Sequence, residues 1–196
     1  VIASRVGVLG GTFDPIHVGH LAVASEVCAA LGLDEVLIAP TASQPFKDAQ
    51  DSAAPEHRVA MCELAVRADP RLSVTTVDVD RGGVTYTVDT LRDLAARRPD
   101  TEWYFIAGAD SLERLSEWKE PETLLTLATF VGVTRPGHSL ARVDPVHPVV
   151  EVPALGVSST EIRRRVRMAA PIRYLVPDAV ADYISAHGLY FGGFDD

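Results

Sequence analysis

Cysteine is scarce in this sequence, with only Cys28 and Cys62 among 196 residues. Two thiols without CxxC spacing make neither a disulfide framework nor a zinc site. Both fall in helical patterns beside apolar neighbours, where small buried thiols are expected. Long apolar runs are missing too: none approaches the roughly 20 residues that cross a bilayer. The first residues carry no basic segment followed by an apolar stretch, so a cytoplasmic protein with no membrane partner is the expectation. Positive charge is short, with 18 Lys and Arg against 27 Asp and Glu, a net charge of -9, and Lys47 and Lys119 as its lysines. That balance excludes broad nucleic-acid binding as a main role. There is no repeat and no low-complexity segment. There is also no Walker A loop and no dinucleotide glycine fingerprint. Nothing in the sequence speaks to oligomeric state.

What is present is ordinary globular material, 47% apolar and 23% charged, of a length that suits one domain. We read residues 1–196 as a single domain with a small C-terminal helical part from about 158. Strand and helix alternate along it. Strands are expected at Val6–Leu9, Val36–Ala39, Leu72–Val79, Glu102–Ala107, Phe130–Thr134 and Val149–Val152. A helix from His17 to Leu31 repeats apolar residues at spacings of three and four and stops at Gly32. Others run from Pro55 to Ala68, from a cap at Thr85 or Thr87 to Arg98, and over Pro121–Ala128. A short helix and turn covers Asp110 to Trp118. Ser159 is expected to cap a helix reaching about Met168, and Asp178 opens a last one ending near Gly188. The segments from Pro40 to Ser52 and from Arg135 to Pro148 read as loops. This alternation predicts an α/β fold, a Rossmann-like doubly wound, mostly parallel sheet flanked by helices. Such sheets bind ligands at the carboxyl ends of their strands, which is where the glycines and polar motifs fall.

The stretch Val6 to His20, VGVLGGTFDPIHVGH, passes from a strand through Gly10 and Gly11 into a helix. Two glycines let the backbone come close to a ligand. His17 and His20, three apart on a helix, project to one side and suit a developing negative charge on a phosphoryl oxygen. Gly19 between them leaves room for something bulky to approach the first turn. A metal site would need a third ligand, and His57, His138, His147 and His187 lie in surface or loop contexts. Further on, Gly156-Val157-Ser158-Ser159-Thr160-Glu161-Ile162-Arg163 opens a helix with hydroxyls and outward N–H groups. Arg163 can fork onto phosphate oxygens, whereas Arg164, Arg165 and Arg167 read as solvated. Phe105 to Ser111 ends a strand at Gly108, where the backbone can meet a flat ring. Asp110 follows it and either accepts from ribose hydroxyls or caps the next helix. Trp103 reads as core.

The pattern GGTFDPIHVGH resembles the nucleotidyltransferase superfamily with the T/HxGH signature, and SSTEIR resembles its second signature. Gly83 to Leu91 (GVTYTVDTL) and Trp118 resemble the acceptor-selecting elements of bacterial nicotinate mononucleotide adenylyltransferases. The resemblance implies an enzyme of NAD biosynthesis that joins ATP and nicotinate mononucleotide by in-line attack. It implies catalytic roles for His17, His20 and Arg163. It implies ATP contacts from Gly10, Gly11, Thr12, Phe13, Gly19, Gly108, Asp110, Ser159 and Thr160. Contacts to the mononucleotide would come from Lys47, Thr85, Tyr86, Asp89, Trp118 and Arg135, with Trp118 stacked on the pyridine ring. Its carboxylate would meet N–H groups around Thr85, Tyr86 and Lys119. Phe46 stands where the family often has histidine. Arg58 matches a family position and reads either as that or as a surface salt bridge. Mg²⁺ is implied, held by substrate phosphates and waters rather than by side chains. A sister enzyme for nicotinamide mononucleotide or phosphopantetheine, or a nucleotide-binding module without turnover, stays open. A tRNA-charging enzyme fits less well, given the short chain and its negative charge.

Overall fold

The computed structural model describes residues 3–43, 52–134, 144 and 146–191. Lys47 and Arg135, together with Phe46, lie outside the described residues. Apolar runs of three to eight residues form strands β1 (Ser4–Gly11), β2 (Glu35–Pro40), β3 (Leu72–Val74), β4 (Thr101–Gly108), β5 (Thr129–Thr134) and β6 (Val149–Glu151). The helices between and after them are α1 (Val18–Leu31), α2 (Pro55–Val66), α3 (Val77–Arg81), α4 (Thr87–Arg97), α5 (Ala109–Leu112), α6 (Pro121–Leu127), α7 (Ser159–Arg167) and α8 (Asp178–Ala186). The sheet runs β3-β2-β1-β4-β5-β6, and every neighbouring pair is parallel. The chain order therefore reverses between β1 and β4. A crevice opens outside the carboxyl ends of these two strands, and that is where a doubly wound sheet binds its ligand.

Side-chain alternation along the strands builds the two faces. Leu9, Val36, Ile38, Ile106 and Val131 point into one cluster, with Val27 of α1, Met61 of α2, Ile162 of α7 and Ile184 of α8. Val8, Leu37, Ala39, Phe105 and Phe130 point into the other, with Leu91 of α4, Leu124 of α6 and Val77 of α3. Each such fully buried side chain contributes about 2 kcal/mol relative to exposure. Cys28 and Cys62 are buried thiols, as expected. Trp103 is buried as well. Among the described residues no helix is long and apolar enough to cross a membrane.

Three local expectations change. Leu72–Val79 is not one strand, because β3 ends at Val74 and α3 begins at Val77. A helix puts Arg81 one turn from Asp78, whose Oδ1 accepts from Arg81 Nη2 at 2.5 Å and from Thr90 Oγ1 at 2.7 Å. Burial pushes the Asp78 carboxyl upward, against those two donors. The N-cap of α7 is Ser158, not Ser159, and its Oγ accepts from Glu161 N at 3.2 Å. Neither Thr85 nor Thr87 caps α4: Tyr86 is the N-cap residue and uses no side-chain bond.

Candidate active site

Two helices begin at the crevice. The chain leaves β1 through Gly11, turns at Phe13 and enters α1 with His17 as its N-cap residue. The backbone N–H of Val18 donates to Leu175 O at 3.0 Å, so the C-terminal part of the chain holds the start of α1. Ser159 Oγ donates to Pro15 O at 2.8 Å and brings the start of α7 beside it. A cavity of about 380 Å³ lies between these helix ends, lined among others by Thr12, His17, His20, Ser159, Thr160 and Arg163. Helix N-termini concentrate positive potential and leave N–H donors unmatched by helix carbonyls. Two such ends on one cavity, with a guanidinium, make a strong anion site. The first-turn Glu161 is turned onto Arg164 and Arg165 instead, which hold its carboxyl down to about 2. Arg164 is exposed, as expected, whereas Arg165 is half-buried and also donates to Pro171 O at 3.1 Å.

The two imidazoles are stacked, centroids 3.6 Å apart at 19°. His20 Nδ1 accepts from the backbone N–H of His17 at 3.3 Å. That bond assigns the neutral His20 proton to Nε2, where it can be donated to a ligand. Gly19 lines the cavity, as expected, and its missing side chain has a second use. A Cβ there would lie 3.0 Å from His17 Nδ1 and 3.1 Å from Val157 Cγ1, so the protein's own side chains fill the space. Gly19→Ala is thus expected to displace the His17 ring. Turnover should fall about tenfold or more with a smaller change in KM, measured by steady-state kinetics. Unaltered kcat would show that the ring tolerates the shift.

Asp14, 5% exposed, knits the loop together. Its carbonyl oxygen accepts from Arg163 Nη1 at 2.7 Å, and its Oδ2 lies 3.6 Å from the same nitrogen. Arg163 Nη2 reaches Thr160 Oγ1 at 3.5 Å. Arg58 is neither exposed nor a surface ion-pair partner. It is 3% exposed and donates to Ala53 O at 3.0 Å, Thr12 O at 2.7 Å and Ala42 O at 3.0 Å. Burial pulls its pKa down, and the nearby Asp14 charge opposes that. His57, expected on the surface or in a loop, sits half-buried in α2, with Nδ1 3.0 Å from the Tyr183 hydroxyl of α8.

A second cavity of about 500 Å³ adjoins the first through His20, Val23 and Val152, and takes in Ile106, Gly108, Asp110 and Thr134. A Cβ on Gly108 would come within 2.6 Å of Asp110 Oδ1, so the glycine lets that carboxylate fold back over it. Gly108, not Asp110, is the N-cap residue of α5. Gly10 and Gly11 end β1, and a Cβ on Gly11 would meet the Phe13 ring at 3.0 Å.

Thr85, Tyr86, Asp89 and Trp118 line neither cavity. Ala42 N donates to Thr85 Oγ1 at 3.2 Å, and Thr85 N donates to Ser43 O at 3.1 Å. The Thr85 N–H expected to meet a ring carboxylate is therefore already engaged. Lys119 Nζ bonds Asp89 Oδ2 at 2.9 Å and lies 4.6 Å from the Tyr86 ring centroid. Trp118 packs edge-on to Phe105 and Phe130, each 6.0 Å away. Sequence reasoning missed Asp14 as a hub, the Arg58 clamp, and the Val23 and Val152 walls.

A family model described as cytidylyltransferase-like matches residues 8–165, from β1 into α7, and so takes in both helix ends of the phosphate cavity. The chain therefore belongs to that cytidylyltransferase-like class of nucleotidyltransferases. A "Probable nicotinate-nucleotide adenylyltransferase" of Arthrobacter sp. (strain FB24) is 51% identical over 95% of this chain and 92% of its own length. One of Acidothermus cellulolyticus is 50% identical over 95% and 94%. The chain belongs to the nicotinate-nucleotide adenylyltransferase family. A Plasmodium falciparum nicotinic acid mononucleotide adenylyltransferase complexed with NaAD shares the fold, with a TM-score of 0.80 at 20% identity over 98% of this chain and all of that one.

Proposed function

We propose that the chain transfers the adenylyl group of ATP to nicotinate mononucleotide, giving nicotinate adenine dinucleotide and pyrophosphate. The observation that carries this is the pair of helix N-termini, with His17, His20 and Arg163, around one cavity that opens into a second beside Gly108 and Asp110. A phosphate oxygen of the mononucleotide attacks the α-phosphorus. The bond from the α-phosphorus to the bridging oxygen breaks, and pyrophosphate leaves with that electron pair. No side chain becomes a nucleophile, so catalysis is positioning and charge stabilisation. His17 steadies the α-phosphoryl oxygens. His20, Thr160 and Arg163 hold the departing pyrophosphate. Ser159 meets it through its N–H, because its hydroxyl donates to Pro15. The second cavity takes the adenosine, with Asp110 toward the ribose. Thr85, Tyr86, Asp89 and Trp118 face the acceptor, with Lys47 and Arg135 for its phosphate.

Mg²⁺ would be held by the substrate phosphates and waters rather than by side chains. Among the described residues no three His, Cys, Asp or Glu cluster as a metal cage, and Asp14 is engaged by Arg163, Ala53 and Tyr190. Such an ion would neutralise charge on the leaving phosphates. The test is pyrophosphate release with nicotinate or nicotinamide mononucleotide at equal ATP. Faster release with nicotinate is expected. Pyrophosphate formed only with the amide would overturn the acceptor assignment.

A further inference from the structure

The last described residues reach back to the phosphate cavity. Tyr190 lies beyond α8 and beyond residue 165, where the family model ends. Its hydroxyl donates to Asp14 Oδ1 at 2.7 Å, across 176 residues of sequence. The same oxygen accepts from Ala53 N at 3.0 Å. Two donors thus hold one carboxylate oxygen, while the other, Oδ2, faces Arg163 Nη1 at 3.6 Å. Tyr190 keeps a left-handed φ of +65°. A bulky residue holds that conformation only where its surroundings over-determine it. Here they do: Leu189 and Tyr190 pack against the core, and α8 is bonded to α2 through Tyr183 and His57. Burial and the adjoining Asp14 charge push the Tyr190 hydroxyl upward, so it stays a proton donor throughout the working pH range.

We propose that Tyr190 is a positioning residue for the phosphate cavity: its hydroxyl occupies Asp14 Oδ1 and keeps that carboxylate from drawing the Arg163 guanidinium out of reach of the ligand. The inference rests on reading this cavity as the pyrophosphate subsite. Arg163 now bonds the Asp14 backbone carbonyl through Nη1 at 2.7 Å, which aims the guanidinium and leaves it in a loose, single-point ion pair with the carboxylate at 3.6 Å. With the tyrosine hydroxyl gone, Oδ1 loses one of its two donors. The carboxylate is then free to turn and take the guanidinium in a two-point ion pair, the favoured geometry for these groups. Arg163 would then compete poorly for phosphate.

Two variants test this with opposite signs, using calorimetric titration with inorganic pyrophosphate and Mg²⁺. Tyr190→Phe keeps the ring and removes only the hydroxyl, and should weaken pyrophosphate at least about fivefold. Asp14→Asn keeps an acceptor for Ala53 and Tyr190 but removes the charge that would capture Arg163. It should bind pyrophosphate as tightly as the parent or more tightly, and adding Tyr190→Phe to it should change little. Affinity within twofold of the parent in a folded Tyr190→Phe would overturn the proposal. So would an Asp14→Asn affinity about tenfold weaker than the parent, the mark of a merely structural node. If Tyr190→Phe does not fold, the sign for Asp14→Asn decides. A parent chain that binds no pyrophosphate would overturn the subsite reading itself, and the inference with it.

Discussion

His17→Ala is expected to lower kcat by at least about 10²-fold, the usual loss when one strong transition-state donor is removed. His17 is 6% exposed, lines the phosphate cavity, and is stacked face to face on His20. Alanine keeps the backbone bonds at the head of α1 and loses the His17 side-chain half of the capping box. The His17 N–H still meets His20 Nδ1, and its carbonyl still accepts from His20 N at 2.9 Å. The variant should therefore fold, with a thermal midpoint within a few degrees of the parent. On the proposed mechanism, what it loses is an imidazole beside the reacting phosphorus, where negative charge grows during transfer. An interaction strongest in the transition state appears mainly in kcat, so KM for ATP should change far less. A folded variant with near-normal turnover would remove His17 from the mechanism. A large rise in KM with kcat preserved would move it to ground-state binding instead.

Local signals made much of this legible from sequence. The alternation of short apolar runs and amphipathic helices sufficed for the doubly wound sheet, because each strand's apolar face needs a helix over it. The cavity between the two helix ends was legible because its parts fall in two compact motifs, residues 10–20 and 156–163, each carrying its own turn and helix start. Where a feature depends on a distant partner, the sequence is silent. Ser158 and Ser159 have equal capping propensity. Which one caps is decided by Pro15, whose carbonyl takes the Ser159 hydroxyl 144 residues away. Leu72–Val79 alternates like a strand, but the pairing of Asp78 with Arg81 and Thr90 favours a turn of helix. Gly19 and Gly108 line the two cavities, as openings for a ligand would, but the contacts that crowd them, from His17, Val157 and Asp110, leave no mark in the sequence. Tyr190 left no trace in any motif, since its role exists only once α8 has docked.

Arg58 is the sharpest case, and its removal is expected to have the largest effect on stability. Its guanidinium holds the carbonyls of Thr12, Ala42 and Ala53 together. Thr12 belongs to the phosphate loop, and Ala42 and Ala53 flank the residues that carry Lys47. Two effects oppose each other. Burying a guanidinium against carbonyls is costly, as its lowered pKa shows, and Arg58→Met would relieve that cost. The same change leaves three carbonyls without their donor, at about 1–3 kcal/mol each. Methionine fills the volume but offers no hydrogen, so the orphaned carbonyls win. We expect a net loss of about 3 kcal/mol, or about 10 °C in Tm for a domain of this size. Arg58→Lys should restore less than half of it, because one ammonium cannot reach three acceptors spread across a planar fork. Scanning calorimetry with and without ATP separates the contributions. A ligand that needs the loop in place should recover less midpoint in Arg58→Met than in the parent. If Arg58→Met melts within 2 °C of the parent, the three carbonyls are satisfied another way and the clamp is not what holds the loop ends.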